Sequence, residues 1–309
     1  MINKVYKTTF ANYQKSKNIL VLKNFYNLMK PRVMSLVVFT AFVGLIISNK
    51  QIDFITSALA LFFVALGAGA AGALNMWYDS EIDAVMSRTC LRPIPLGKIS
   101  NTQALYFGIS LSLISIVGLY LVSNILSASI LAITIGFYIF IYTIWLKRRS
   151  AQNIVIGGAA GAFPPVIGWA IANNSLSIEP IILFLIIFFW TPSHFWSLSL
   201  YKSEDYKKAK IPMLPVIAGV NFTKKNIFAY ALILFPITIF PFYFNFAGLV
   251  YLVPTIILGV FYIFLTFKLL NANNKKDIGK FSKKIFAFSI LYLFLIFTLL
   301  LIESFIKFF

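Results

Sequence analysis

The sequence predicts an all-α integral membrane protein, a bundle of nine transmembrane helices with its N-terminus in the cytoplasm. Of the 309 residues, 60% are hydrophobic and only 12% are charged, about half the charged fraction of an ordinary soluble domain. The apolar runs are mostly about 17 to 22 residues long, which is enough for a helix to cross the hydrocarbon core. An outer-membrane barrel would instead show short alternating segments, so the predicted spans are helical.

Charged residues, prolines, glycines and asparagines separate the nine spans. The connections predicted on the outer side, such as 49–53 and 173–177, are short and nearly uncharged, whereas those after spans two and six are long. Long loops in compact domains are usually functional, so we expect the chemistry in the inner loops 75–102 and 201–225. In chain order, the spans are predicted near residues 33–49, 54–74, 103–123, 125–146, 151–172, 179–200, 226–246, 248–270 and 285–306.

The chain carries 27 lysines and arginines against nine acidic residues, a net charge of +18. Placing the N-terminus inside puts about 25 of these cations on the cytoplasmic side, the asymmetry that the positive-inside rule describes. Only Lys50 and Lys307 fall outside. The charge is therefore explained by topology and needs no nucleic-acid partner. Residues 1–32 are interpreted as a basic cytoplasmic tail, and residues 33–309 as a single transmembrane domain.

The residue types that could hold a metal are few. Cys90 is the only cysteine and His194 the only histidine, which excludes a disulfide framework, a cysteine-based metal cluster and a multi-histidine centre. Five of the nine acidic residues lie in the two long inner loops. Carboxylates at the inner face are therefore the candidate ligands.

Asn75, Asp79 and Asp83 recur every four residues, so they line one face of a helix that continues from span two. Two carboxylates about 4 Å apart repel by roughly 4 kcal/mol at an effective dielectric constant near 20, so a cation is expected between them. Oxygen ligands without histidine or cysteine favour Mg²⁺, which usually also takes substrate phosphate oxygens. Asn75, Asp79 and Asp83 are predicted to bind the metal, and the two aspartates are predicted to be catalytic.

The same loop supplies cations for an anionic group. Arg88 and Arg92 are four residues apart and Lys98 follows them, and guanidinium groups match phosphate geometry well. These three residues are predicted to bind a diphosphate, and Arg88 is predicted to be catalytic by stabilising it as it leaves. The alternative is that Asp79 and Asp83 pair with Arg88 and Arg92 in a salt-bridge network that binds no ligand.

A second acidic cluster lies in the inner loop after span six. Glu204 and Asp205 follow Lys202 and face the same side of the membrane as the first cluster. Two acidic clusters on one face suit two Mg²⁺ ions that bridge one diphosphate. Glu204 and Asp205 are predicted metal ligands, Asp205 is predicted to be catalytic, and Lys202 is predicted to bind the diphosphate.

The motif N-x-x-x-D-x-x-x-D after span two, with an acidic loop after span six, resembles the UbiA-type intramembrane prenyltransferases. Several stretches are similar to the branch of that family that acts on protohaem IX. The resemblance covers roughly residues 28–220 and lies in LMKPRVMSLVVFTAFVGL at 28–45, DSEIDAVMSRT with RPIPLGKIS at 79–100, KRRSAQNIVIGGAAGAFPPVIGW at 147–169, and WTPSHFWSLSLYKSEDYKKAKIPMLPV at 190–216.

The resemblance implies a reaction and its participants. Farnesyl diphosphate would lose its diphosphate with the help of Mg²⁺, and a vinyl group of protohaem IX (haem B, a substrate rather than a cofactor) would capture the allylic cation with addition of water. The apolar spans predict a multi-pass protein of the lipid bilayer. The richness in Lys, Asn, Ile and Phe suggests a bacterial genome, so a bacterial inner (plasma) membrane is expected rather than a mitochondrial one. Haem A synthase or terminal oxidase assembly factors would be protein partners.

Five polar residues are predicted to contact the haem. His194 lies in the family-like run WTPSHFW, and Lys30 and Arg32 lie in the family-like KPR, where they could bind haem propionates or the diphosphate. Gln152 and Asn153 enter an apolar span, where polar side chains tend to face the bundle interior. A hydrogen-bonded structural histidine is the alternative for His194.

Other features predict packing rather than binding. Lys147, Arg148 and Arg149 are interpreted mostly as interface anchors. The small-residue runs at 67–73 and 157–163 would let helices approach closely. Pro164 with Pro165, and Pro192, are expected to kink spans five and six.

Three rival functions remain open at this stage. A UbiA-type enzyme could act on a quinone precursor such as 4-hydroxybenzoate. A CDP-alcohol phosphotransferase also carries aspartate-rich inner motifs, but its D-G-x-x-A-R run is missing here. A secondary transporter would place its acidic residues at mid-span, whereas these spans are almost free of acids.

Overall fold

The computed structural model describes the backbone of residues 20–307 and the side chains of residues 20–306. Within that part of the chain the structure is helical and contains no strand. In chain order the helices are α1 (Leu20–Leu28), α2 (Pro31–Ile47), α3 (Phe54–Tyr78), α4 (Ser80–Val85), α5 (Asn101–Val122), α6 (Ile125–Leu146), α7 (Asn153–Ala162), α8 (Pro164–Asn173), α9 (Ile178–Tyr201), α10 (Ser203–Lys208), α11 (Leu214–Ile217), α12 (Gly219–Tyr243), α13 (Leu249–Leu270) and α14 (Lys275–Lys307).

Each of the nine predicted spans corresponds to a helix or helix pair in this structure. Among the described residues, eight spans are long and apolar enough to cross a membrane on their own, with α7 and α8 together making one of them. The remaining span, α2, reaches that length only when it is joined to α1, from which it is bent by 54°. The all-helical prediction is confirmed, with eight or nine candidate spans.

The helices extend further into the inner loops than hydropathy predicts. Helix α12 begins at Gly219 rather than near 226, and α14 begins at Lys275 rather than near 285. Lysine is a good helix former, and its long side chain reaches water while its backbone stays helical. The predicted loop 201–225 is therefore reduced to 202–218, and it contains the short helices α10 and α11.

The end of the predicted N-terminal tail is also helical. Helix α1 packs against α3, and Leu28 is fully buried. A Cβ atom on Gly69 would lie 2.6 Å from the Met29 side chain, and one on Gly72 would lie 3.2 Å from the Met29 carbonyl oxygen. The small-residue run of α3 therefore packs helices together, as predicted. Residues 1–19 of the predicted tail lie outside the described residues.

The two predicted proline kinks have different outcomes. Span five is interrupted at Phe163, between α7 and α8, directly before Pro164 and Pro165. Helix α9 instead runs through Pro192 without a break. The break in span five fits the missing backbone donors of the two prolines.

Helices α2 and α8 cross with their backbones in close contact. A Cβ atom on Gly168 would lie 1.9 Å from the Ala41 carbonyl oxygen, and one on Gly44 would lie 2.1 Å from the Pro165 carbonyl oxygen. Since backbone atoms cannot move aside as a flexible side chain can, glycine is required at both positions. Lys30, directly before α2, lies beside the C-terminal end of α3.

We expect Gly168→Ala to destabilise the protein by about 2 kcal/mol or more, because overpacking a tight contact costs about 1 to 3 kcal/mol. Gly161→Ala in α7 is the matched control, since a Cβ atom there would meet nothing within 4 Å. Thermal unfolding in detergent measures both. A Gly168→Ala protein as stable as the control would contradict the close crossing.

Candidate active site

The candidate active site lies at the C-terminal ends of α3 and α6, where Asn75 and Asp79 meet. Asn75 Nδ2 donates a hydrogen bond to Asp79 Oδ2 at 2.8 Å, and the Asp79 backbone N–H donates to the Asn75 carbonyl oxygen at 3.0 Å. The helical turn therefore continues past the end of α3, and the spacing of four residues brings the two side chains into contact as predicted. Both residues are buried.

Asp79 forms an ion pair with Lys147, the residue that follows α6. The second half of α6, Phe137–Leu146, is a π-helix, a form that is frequent at functional sites. It directs Thr143 to the same place, where Thr143 Oγ1 accepts a hydrogen bond from Asn75 Nδ2 at 3.0 Å. Lys147 is therefore part of the site, and the prediction that it is mainly an interface anchor was wrong.

Asp83 forms the second ion pair of the site, with Arg92. Arg92 Nη1 lies 2.6 Å from Asp83 Oδ2, and the carboxylate is buried. The loop between them is held by Thr89, whose hydroxyl donates to the Asp83 carbonyl oxygen at 2.9 Å. Of the ion pairs expected if the two aspartates and two arginines bind no ligand, the structure contains one, Asp83 with Arg92. The partner of Asp79 is Lys147 and not Arg88.

Lys30 is the third basic residue beside these side chains, after Lys147 and Arg92. Its Nζ donates to Asn75 Oδ1 at 2.5 Å. Burial, together with the positive charges of Arg92 and Lys147, lowers the pKa of Lys30 to about 7. The contact of Lys30 with haem propionates or the diphosphate stays a prediction.

The two inner loops touch through one hydrogen bond. Ser87 Oγ, in the first loop, donates to Asp205 Oδ2, in the second loop, at 2.6 Å. Glu204 is exposed. The structure thus brings the second acidic cluster to the first loop, but in the described chain no three His, Cys, Asp or Glu side chains are close enough together to hold a metal ion.

The remaining predicted anion-binding and haem-binding residues lie at the edge of the site or away from it. Arg88, Lys98, Arg32 and Gln152 are exposed. The Lys202 ammonium lies 5.1 Å from the centre of the Tyr201 ring, on which Lys283 also lies. These contacts direct Lys202 towards the start of α14.

Asn153 and His194 are buried within the bundle. The amide nitrogen of Asn153 donates to the Ser150 carbonyl oxygen at 2.7 Å. Its Oδ1 is buried, and no residue in the described part of the chain forms a hydrogen bond with it. His194 Nδ1 lies 2.6 Å from Ser289 Oγ, and the imidazole stacks between two aromatic rings, Trp190 at 4.2 Å and Phe286 at 4.7 Å. These contacts are those of a hydrogen-bonded structural histidine, which was the alternative interpretation of His194 from the sequence.

The first cluster fits a hard divalent cation by the chemistry of its donors. Asn75, Asp79 and Asp83 offer only oxygen atoms on the predicted face, which Mg²⁺ prefers. Asp79 Oδ1 is buried and has no hydrogen-bond partner among the described residues. An unpaired carboxylate oxygen is costly to bury unless a cation or donor approaches it, so the residues present suit the predicted group.

The relationship of the chain to known proteins follows from its sequence. Residues 37–302 match the UbiA prenyltransferase family, which is most of the chain. The chain belongs to this family. Its UbiA relatives include a protein of Pelagibacter ubique named "Protoheme IX farnesyltransferase", which is 56% identical over 98% of this chain and 99% of that protein. A protein of Parvibaculum lavamentivorans with the same name is 51% identical over 91% of this chain and 89% of its own length.

Solved structures support the same UbiA fold. A digeranylgeranylglyceryl phosphate synthase structure matches with a TM-score of 0.76 and 21% identity, over 92% of this chain and 98% of the other. A UbiA homologue from Archaeoglobus fulgidus bound to DMAPP and Mg²⁺ matches with a TM-score of 0.63 and 16% identity, over 87% of this chain and 99% of the other. The chain is therefore a UbiA-type prenyltransferase in fold and family.

Proposed function

We propose that the protein transfers the farnesyl group of farnesyl diphosphate to a vinyl group of protohaem IX, with addition of water, and releases diphosphate. The observation that carries this proposal is the 56% identity over nearly the whole chain to a relative named for that reaction. The site supports it, because paired carboxylates and cations at an inner membrane face suit a metal-bound diphosphate.

In this proposal, Asn75, Asp79 and Asp83 hold one Mg²⁺, and Glu204 with Asp205 holds a second. Mg²⁺, when bound, neutralises the charge that develops on the departing diphosphate. Arg88, Arg92, Lys98 and Lys202 bind the diphosphate oxygens and stabilise the same charge. Ser87 supports the second cluster by orienting the Asp205 carboxylate.

Partly buried cations beside the buried carboxylates make the departure of the anion easier. The carbon–oxygen bond of the allylic group breaks with its electron pair on the diphosphate, so a preorganised positive environment lowers the barrier without a covalent intermediate. The apolar bundle around the site keeps bulk water away from the allylic cation, so that the vinyl group captures it. One water then adds to the cation formed on the former vinyl group and loses a proton, which completes the addition of water. Lys30, Arg32, His194, Gln152 and Asn153 are proposed to contact the haem.

The topology and the partners belong to the same proposal. The excess of lysine and arginine in the inner loops supports an N-terminus in the cytoplasm and a location in a bacterial plasma membrane. Haem A synthase or terminal oxidase assembly factors are proposed as protein partners.

The acceptor is tested by the mass of the product. Membranes that contain the protein are supplied with farnesyl diphosphate, Mg²⁺ and either protohaem IX or 4-hydroxybenzoate. We expect a haem heavier by one hydroxyethylfarnesyl modification, and unmodified 4-hydroxybenzoate. Prenylated 4-hydroxybenzoate with unmodified haem would show that the protein instead prenylates a quinone precursor.

A further inference from the structure

The oxygen-bearing side chains of the first cluster each contact one cationic side chain. Lys30 Nζ lies 2.5 Å from Asn75 Oδ1, and Arg92 Nη1 lies 2.6 Å from Asp83 Oδ2. Lys147 pairs with Asp79 Oδ2. Asn75, Asp79 and Asp83 are the residues proposed to hold a metal ion. A divalent ion must therefore compete with the cationic side chains for at least part of the oxygen atoms of these three residues.

The cations form an outer layer over the carboxylates. The side chains of Asp79 and Asp83 are 0% and 3% exposed, whereas those of Lys147 and Arg92 are 17% and 22% exposed. Lysine and arginine are long and flexible, so their charged ends can move while their stems stay packed. A ligand that arrives from the inner loops therefore meets the cations before it meets the carboxylates.

The balance of charge opposes binding of a metal ion alone. Two cations, Lys147 and Arg92, already pair with the two carboxylates, and a divalent ion adds positive charge at short range in a poorly screened environment. Lys147 and Arg92 would also lose their carboxylate partners. A diphosphate reverses both effects, because its oxygens give the displaced cations new partners.

We propose that Lys147 is a resident counter-ion that holds Asp79 until metal and diphosphate arrive together, and that it then binds the diphosphate. The inference rests on the proposed function, because it concerns the same site. Lys147 then touches the substrate directly, and it couples metal affinity to anion affinity. The coupling is reciprocal, so each ligand binds more tightly when the other is present. Arg92 has the same relationship to Asp83.

The test compares Lys147→Gln with the wild-type protein in nanodiscs. Glutamine keeps a donor towards Asp79 but removes the charge. Mn²⁺ affinity without an anion is measured from the electron paramagnetic resonance signal of the free ion, and pyrophosphate affinity is then measured with saturating Mn²⁺. Arg149→Gln is the matched control, because Arg149 is exposed and lies two residues from Lys147. Arg92→Gln is the second variant if Lys147→Gln fails to fold.

We expect Lys147→Gln to bind Mn²⁺ alone about tenfold more tightly and pyrophosphate about tenfold more weakly, a coupling of ordinary size. The control should change neither affinity. A merely structural role for Lys147 would weaken both, and this result, or an unchanged Mn²⁺ affinity, would overturn the inference while leaving the metal–diphosphate site intact. If wild-type protein binds no Mn²⁺ even with pyrophosphate, the proposed metal site itself is wrong.

Discussion

Replacing Asp79 with asparagine should reduce turnover by about 100-fold or more, a loss in the range found when a metal environment or a charge-stabilising group is altered. The carboxylate is fully buried and contacts Asn75 and Lys147, and one of its oxygens has no hydrogen-bond partner within residues 20–306. Asparagine has nearly the same shape but carries no charge, so it should weaken metal binding more than it disturbs packing. Product formation and thermal unfolding are measured on the same preparation.

Glu81→Gln is the matched control for this substitution. Glu81 lies in α4, the short helix that begins directly after Asp79, but is exposed. We expect the control to retain turnover within about twofold, since surface substitutions away from special features usually have small effects. Full activity in folded Asp79→Asn protein would show that the carboxylate has no part in the reaction.

Replacing Lys147 with alanine should destabilise the protein by about 3 kcal/mol. Breaking a buried ion pair by removing one partner typically costs about 3 to 5 kcal/mol, because the remaining charge is buried without compensation. The partner here is the buried Asp79, while the Lys147 side chain is 17% exposed, so water can enter and recover part of this cost. Chemical or thermal unfolding in detergent measures the change.

Arg149→Ala provides the comparison. Arg149 follows α6 like Lys147 but is exposed, so its removal should change stability by less than about 0.5 kcal/mol. The double variant Asp79→Asn with Lys147→Ala should be more stable than Lys147→Ala alone, because no unpaired charge is left. Equal losses in the two single variants at Lys147 and Arg149 would contradict a buried ion pair.

Hydropathy predicted most of the fold, because every span has to be apolar to lie in hydrocarbon. The two halves of span five were also predictable, since Pro164 and Pro165 remove backbone donors. The inner ends of α12 and α14 were not. Lys224, Lys225 and the lysines after Lys275 read as loop residues, yet they continue the helices.

Local spacing predicted part of the site. Asn75 and Asp79 are four residues apart on one helix, so their contact follows from helix geometry alone. Lys147 is 68 residues from Asp79, and Ser87 is 118 residues from Asp205. Such contacts depend on how the spans pack, which a charged residue at a membrane interface does not reveal, because interface anchors look the same in sequence. The π-helix that directs Thr143 leaves no recognisable pattern in an apolar run.

His194 is the reverse case, a residue for which the sequence suggests a ligand contact although its contacts within the protein explain its position. As the only histidine in an apolar span it attracts a functional interpretation, but Ser289 and two flanking aromatic rings already account for its burial. These partners lie in α9 and in α14, which is distant in sequence. The haem contact therefore stays a prediction, and weaker haem binding in His194→Ala with unchanged farnesyl diphosphate binding would support it.

The central claim is that this site uses Mg²⁺ to remove diphosphate from a prenyl donor for transfer to haem. The most direct measurement counts released pyrophosphate and modified haem in the same nanodisc sample, with Mg²⁺ and with a chelator. We predict one pyrophosphate for each modified haem, with both products lost under the chelator and in Asp83→Ala. Haem modified at an undiminished rate in the chelator, or in folded Asp83→Ala protein, would contradict the account.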